Sequence, residues 1–158
     1  MSLINFELQI VSKPSLFLPK KADFQKWLEA VLFLSPGKEE ITIRLVDKLE
    51  SQILNFRYRN KNQPTNILSF SFNQPFLKKP PTEYLLGDLV ICGSLIEEEA
   101  REQQKILRSH WAHIVIHGTL HLLGYDHSCD NDAKKMQLIE TKIMLDLGYL
   151  NPYMLDNI

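Results

Sequence analysis

The sequence predicts an α+β fold, a mixed four-stranded sheet packed with about five helices. Three observations lead there. Short β-branched or alternating segments fill much of the first 92 residues, helical periodicity takes over from Ser94, and no repeat or low-complexity tract interrupts the chain. Strands first and helices later is the order of an α+β or mixed-sheet α/β layer structure. At 158 residues, with no long linker, the chain reads as one domain over residues 1–158.

The elements follow in order. Residues 4–11 alternate apolar and polar side chains, as a half-buried strand does. Residues 20–34 place Phe24, Trp27, Leu28, Val31 and Leu32 at helical spacing, and Ser35-Pro36-Gly37 breaks the run. Residues 40–46 form a β-branched second strand, and residues 50–58 a short helix. The polar, basic stretch from Arg57 to Asn66 reads as an exposed loop. Residues 67–72 and 85–92 are the third and fourth strands, joined by a proline-rich connection. Ser94 with Glu97 has the spacing of a capping box, opening a helix whose acidic start suits its dipole. Residues 109–123 make another helix, stopped at Gly124. A last one, capped by Asp130, runs to about Leu147 with Met136, Ile139, Ile143 and Leu147 on one face and Gly148 beyond.

Composition narrows the function classes. A net charge of −1 lacks the basic excess of proteins that grip duplex nucleic acid through many phosphates, so any such contact needs a local patch. No stretch approaches the roughly 18 consecutive apolar residues of a membrane helix. The N-terminus shows no secretory pattern, so a cytoplasmic location and free thiols at Cys92 and Cys129 are the expectation.

All five histidines fall between positions 110 and 127. On a helix, His110, His113, His117 and His121 share one stripe. His117 and His121, one turn apart, can aim ring nitrogens at one ion, and Gly124 permits the turn that brings His127 back as a third ligand. Three imidazoles suit zinc and several other transition metals, and leave a coordination position open where a structural site would be closed by a fourth ligand. Cys129 is the candidate for such closure, while His110 and His113 are expected to be supporting or surface residues.

The frame of His117-Gly118-Thr119-Leu120-His121-Leu122-Leu123-Gly124-Tyr125-Asp126-His127 is H-x-x-x-H-x-x-G-x-x-H, the ligand frame of metzincin proteases. Those enzymes place a glutamate base directly after the first histidine, where this chain has Gly118. The ligands are kept and the peptidase base is absent. Asp126 is read as an orienter of a ligand ring, a proton acceptor, or a turn residue; Asp88, after Gly87, as a turn residue.

With that string in view, the chain resembles the YbeY family of bacterial endoribonucleases. The matching residues include Leu54-Asn55, Tyr58-Arg59, Lys61, Pro64-Thr65-Asn66-Ile67-Leu68-Ser69-Phe70, Leu86-Gly87-Asp88-Leu89-Val90-Ile91-Cys92 and His110-Trp111-Ala112-His113. The likeness is strong over residues 54–127. Asn60 departs from a frequent glycine, and Ser128-Cys129 from an acidic pair. The resemblance implies a single-strand-directed endoribonuclease holding one zinc through His117, His121 and His127, with Arg59 and His117 serving catalysis. It further implies single-stranded RNA, ribosomal RNA and ribosomal particles as partners, in maturation of the 3′ end of 16S ribosomal RNA and in ribosome quality control, with no DNA or membrane partner. An Arg fork matches phosphate oxygens, and Arg59 lies among Arg57 and Lys61, a basic patch in a nearly neutral chain. Tyr58 and Phe70 are aromatic candidates for base stacking, with core packing the competing role for Phe70.

Overall fold

A computed structural model describes residues 4–33, 39–71 and 85–154. Four strands, β1 (Asn5–Ile10), β2 (Glu40–Val46), β3 (Ile67–Ser71) and β4 (Leu85–Cys92), form one sheet in the order β1-β2-β4-β3. β1 and β2, and β2 and β4, pair in parallel, whereas β3 runs antiparallel to β4 along an edge. Five helices, α1 (Lys21–Leu32), α2 (Lys48–Arg59), α3 (Gly93–Glu102), α4 (Leu107–Leu122) and α5 (Asp130–Asp146), complete the mixed-sheet α+β arrangement expected from the sequence.

The period of two explains how the sheet is covered. Ile41, Ile43 and Leu45 of β2 share one face with Leu89 and Ile91 of β4, and join Phe24, Trp27, Trp111 and Val115 in the main core. The intervening Val46 and Val90 turn the other way, and form a second cluster with Leu54 of α2 and Leu68 and Phe70 of β3. Both central strands are therefore covered on both faces, although the second face also carries Thr42 and Arg44 of β2 and Asp88 of β4. Helix α4 is buried over most of its length, packing on α1, α3, α5, β3 and β4, with its four histidines along one stripe. A helix so enclosed is a rigid platform for whatever its remaining polar residues do.

Several local expectations change. Arg57, Tyr58 and Arg59 belong to the last turn of α2, because the helix runs on until Asn60 takes a left-handed conformation (φ 60°) and returns its N–H to Phe56 O at 3.0 Å. After glycine, asparagine tolerates that conformation best, which accounts for Asn60 at this position. The loop that follows is tied back: Ser51 Oγ donates to Thr65 O at 2.7 Å and Asn55 Nδ2 to Gln63 O at 2.9 Å. Ser94 and Glu97 form no capping box. Ser94 already lies inside α3, and the Glu97 carboxylate accepts from the backbone N–H groups of Ser15, Leu16 and Phe17 across the molecule. Helix α4 starts earlier than expected, at Leu107, and Cys129 rather than Asp130 occupies the cap position of α5. Asp88 is no turn residue: it sits within β4 opposite Phe70, only 1% exposed. Phe72, the Ser35-Pro36-Gly37 break and the proline-rich connection fall outside the described residues. Among the described residues, no helix is long and apolar enough to cross a membrane.

Candidate metal centre

The C-terminal end of α4 builds the centre. The helix closes with a Schellman arrangement: Gly124 N donates to His121 O at 3.0 Å and Tyr125 N to Leu120 O at 3.1 Å. Gly124 adopts φ 101°, which an L side chain rarely permits. The reversal brings His127 beside the two helical histidines. Its ring stacks on His117 with centroids 5.7 Å apart and meets His121 edge-on at 4.9 Å. One ligand-capable atom from each of the three lies within 4.8 Å of the others.

Hydrogen bonds fix which nitrogens face inward. His121 Nδ1 lies 2.9 Å from Tyr125 O, a carbonyl that can only accept, so Nδ1 carries the proton. His117 Nδ1 lies 3.0 Å from Glu140 Oε1 and donates to that carboxylate. The two Nε2 atoms, left with lone pairs in the neutral rings, are 3.1 Å apart. Two lone pairs at that distance repel unless a proton or cation lies between them. Metal–imidazole bonds of about 2.05 Å at a tetrahedral angle would put the nitrogens about 3.3 Å apart. The donor set and its spacing thus fit a single transition-metal ion. Burial, followed by the charge of His117, lowers the pKa of His121, which favours the neutral ring that a ligand must be.

Behind the rings stands Glu140, only 1% exposed. Its Oε1 accepts from His117 Nδ1 and from His113 Nε2 at 2.7 Å, and its Oε2 from the Tyr153 hydroxyl at 2.8 Å. Burial raises the carboxyl pKa, but the hydrogen bonds and charges of His113 and His117 outweigh it and bring it down to about 2. Burial, followed by the hydrogen bond to Glu140 and its negative charge, pushes the Tyr153 phenol well above its ordinary value. His113, lowered chiefly by burial, and His110 are interior residues, not surface ones. His110 Nε2 pairs with Glu99 Oε1 at 2.9 Å, and Glu99 also accepts from Asn66 Nδ2. Sequence reasoning missed Glu140. The available signal was its spacing, four residues from both Met136 and Met144, which puts a carboxylate in the buried stripe of α5.

The histidines open onto a cleft of 840 Å³ whose walls include Arg59, Lys61, Ser69 and Tyr125. Arg59 is anchored by Nη2 to Ser69 O at 2.9 Å and Nη1 to Tyr58 O at 3.2 Å, with its guanidinium 5.3 Å from the Phe70 ring centroid. Phe70 is buried and takes Tyr58 edge-on at 5.2 Å, so core packing, not stacking on a base, is its role here. Asp126 Oδ1 accepts from the backbone N–H of His127 at 2.7 Å, the turn function among those considered. Cys129 is exposed and does not belong to the converging set.

Gly118 explains the missing peptidase base. At this point α4 crosses edge strand β3, and Ser69 Oγ donates to Gly118 O at 3.0 Å. A Cβ at Gly118 would run into Ile67 Cδ1, and would stand 3.1 Å from Ser69 Oγ and 3.2 Å from Leu89 Cδ2. The position points into the sheet, with no room for a glutamate.

The solution structure of TM1509 from Thermotoga maritima is similar to this chain, with a TM-score of 0.58 and 27% identity over 91% of this chain and 88% of that one. The family model described as endoribonuclease YbeY matches residues 15–148, which takes in β2, β3 and β4, the cleft wall carrying Arg59 and the whole histidine turn. The chain belongs to the YbeY endoribonuclease family.

Proposed function

We propose that this chain is a zinc-dependent endoribonuclease, acting as one domain on single-stranded RNA in the cytoplasm, with ribosomal RNA and ribosomal particles as its targets. Family membership supports RNA cleavage and a role in ribosomal RNA processing. The same kinship is the support for the narrower reading, maturation of the 16S 3′ end and ribosome quality control. The observation that carries the reading is one cleft lined both by three convergent imidazoles and by an anchored arginine.

His117, His121 and His127 would hold the ion. When bound, it supplies Lewis acidity, polarising a phosphoryl oxygen and lowering the pKa of water towards about 7. The rest is done by the chain. Arg59, locked by Ser69 O and Tyr58 O, presents its remaining donors to phosphate oxygens, where charge gathers during cleavage. Lys61 adds a second positive group on the same wall, so a strand entering the cleft meets cations where its phosphates run. The enclosed helix α4 keeps the His117 and His121 rings from moving apart as substrate binds, and the Gly124 turn holds His127 beside them.

Purified protein incubated with unstructured RNA and, separately, with casein tests the proposal. Chelator-sensitive cuts in RNA alone are expected, and their loss in Arg59→Ala and His117→Ala with folding retained. Casein cleavage would turn the reading towards a peptidase, which Gly118 opposes. Cleavage that persists in both variants would belong to a contaminant, and would leave a non-catalytic ribosome-assembly factor stabilised by its metal.

A further inference from the structure

We infer that Glu140 is a positioning residue for the metal centre: its carboxylate, held in place by His113 and Tyr153, fixes the ligand tautomer of His117 and ties the segment after α5 to metal affinity. The inference rests on the metal-site reading above and adds residues that lie outside the ligand string.

The hydrogen bonds supply the reasoning. A buried carboxylate needs partners for both oxygens, and Glu140 finds three, all of them side chains at the cleft: His117, His113 and the Tyr153 hydroxyl. An ionised carboxylate is acceptor-only, so His117 Nδ1 must be the protonated nitrogen and Nε2 the bare one. That is the tautomer that can ligate. A residue able to donate at the same place would permit the opposite tautomer, with a proton on Nε2 where the ion belongs. Buried acidic partners of ligating histidines orient the ring and raise its basicity, and their loss weakens metal binding by roughly 10- to 100-fold.

Tyr153 extends the chain of contacts. Its hydroxyl closes the second oxygen of Glu140, and its ring meets His113 edge-on at 5.3 Å. The segment that carries it is itself fastened: Tyr153 N donates to Asn151 Oδ1 at 2.9 Å, and Lys105 Nζ donates to Met154 O at 3.1 Å and to Pro152 O. Residues far from the histidine turn in sequence therefore help to hold its geometry.

Zinc titration in competition with a chromophoric chelator tests this on the full chain, using the parent, Glu140→Gln, Tyr153→Phe and Met144→Val. The last variant perturbs the same buried face of α5, but Met144 makes none of the network's hydrogen bonds, so it serves as a packing control. Glu140→Gln is expected to bind zinc roughly 10- to 100-fold more weakly. Tyr153→Phe, which keeps the carboxylate, is expected to lose roughly threefold, and Met144→Val to match the parent. Nitrogen-15 spectra of the parent should report His117 as the Nδ1–H tautomer. Folded Glu140→Gln binding within twofold of the parent overturns the inference, and so does an equal loss in Met144→Val. Should Glu140→Gln fail to fold, unchanged affinity in Tyr153→Phe overturns it instead. A parent that binds no zinc sinks the metal-site reading itself, a different result from a binding parent with an indifferent Glu140.

Discussion

The Nε2 atoms of His117 and His121 lie 3.1 Å apart while the opposite nitrogen of each ring is committed as a donor, to Glu140 and to Tyr125 O respectively. Two ring nitrogens held this close on one helix, each with its lone pair turned inward, suit a shared cation. Metal should therefore stabilise the folded chain. A ligand that binds only the native state adds about 2.7 kcal/mol at a hundredfold excess over its Kd. Differential scanning fluorimetry should show Tm rising with zinc and falling with chelator in the parent. The Tm of His121→Ala should respond to neither. A parent whose Tm ignores both would show that the rings hold no ion.

Arg59 offers a sharper separation of function from stability. It is exposed and held by two backbone carbonyls and the Phe70 ring face, so its removal should leave stability within about 0.5 kcal/mol of the parent. Loss of a fixed donor to a developing phosphate charge typically costs about 100- to 1,000-fold in rate. Arg59→Lys keeps the charge but neither the fork nor the stacking, so it should fall much nearer to Arg59→Ala than to the parent. Single-turnover RNA cleavage by the three proteins decides this. Full activity in Arg59→Lys would show that charge alone suffices.

Gly118 is the place where a protease would carry its glutamate, and here β3 fills that space. Alanine at a helix interior normally gains about 1 kcal/mol over glycine, but overpacking costs about 1–3 kcal/mol. Ile67 Cδ1 can yield, being the tip of a flexible chain, whereas Ser69 Oγ is bonded to Gly118 O. The balance puts Gly118→Ala at about 0–2 kcal/mol destabilised in urea unfolding. Gly118→Glu should lose far more and gain no activity on casein. A stable Gly118→Glu protein would mean that the contact of α4 with β3 is loose.

Much of this was legible in the sequence because it rests on local rules. Alternation and β-branched residues place β1 and β2, short apolar runs bounded by turn residues place β3 and β4, and Gly124 with the histidine spacing foretells the turn that gathers His127. What escaped depends on distant partners. Glu97 looks like a capping residue until the fold brings Ser15, Leu16 and Phe17 to it. Asp88 looks like a turn residue until β3 pairs alongside. Glu140 lies outside the histidine string altogether, and only the packing of α5 on α4 gives it a role. The helix expected over 50–58 ends within one residue of the observed Arg59, and only the loop read from Arg57 starts too early, because the helix carries on until Asn60 takes a left-handed conformation.

Glu99 gives a pH-dependent prediction away from the metal ligands. Burial raises its carboxyl pKa, but hydrogen bonds from His110 and Asn66, with the charges of His110 and His113, bring it below the ordinary 4.5. A carboxylate with a lowered folded pKa stabilises the native state fully above the unfolded value. That contribution fades as pH falls from about 4.5 through the folded pKa, because the unfolded chain takes up the proton first. Glu99→Gln cannot titrate, so its deficit relative to the parent should shrink on acidification from pH 6 towards pH 3, as read by urea unfolding in chelator. A deficit that stays constant across that range would mean that Glu99 holds its proton equally well folded and unfolded. Asn66 lines the cleft and donates to Glu99 through Nδ2, so the same variant should also free the amide to turn and alter the KM for RNA more than kcat.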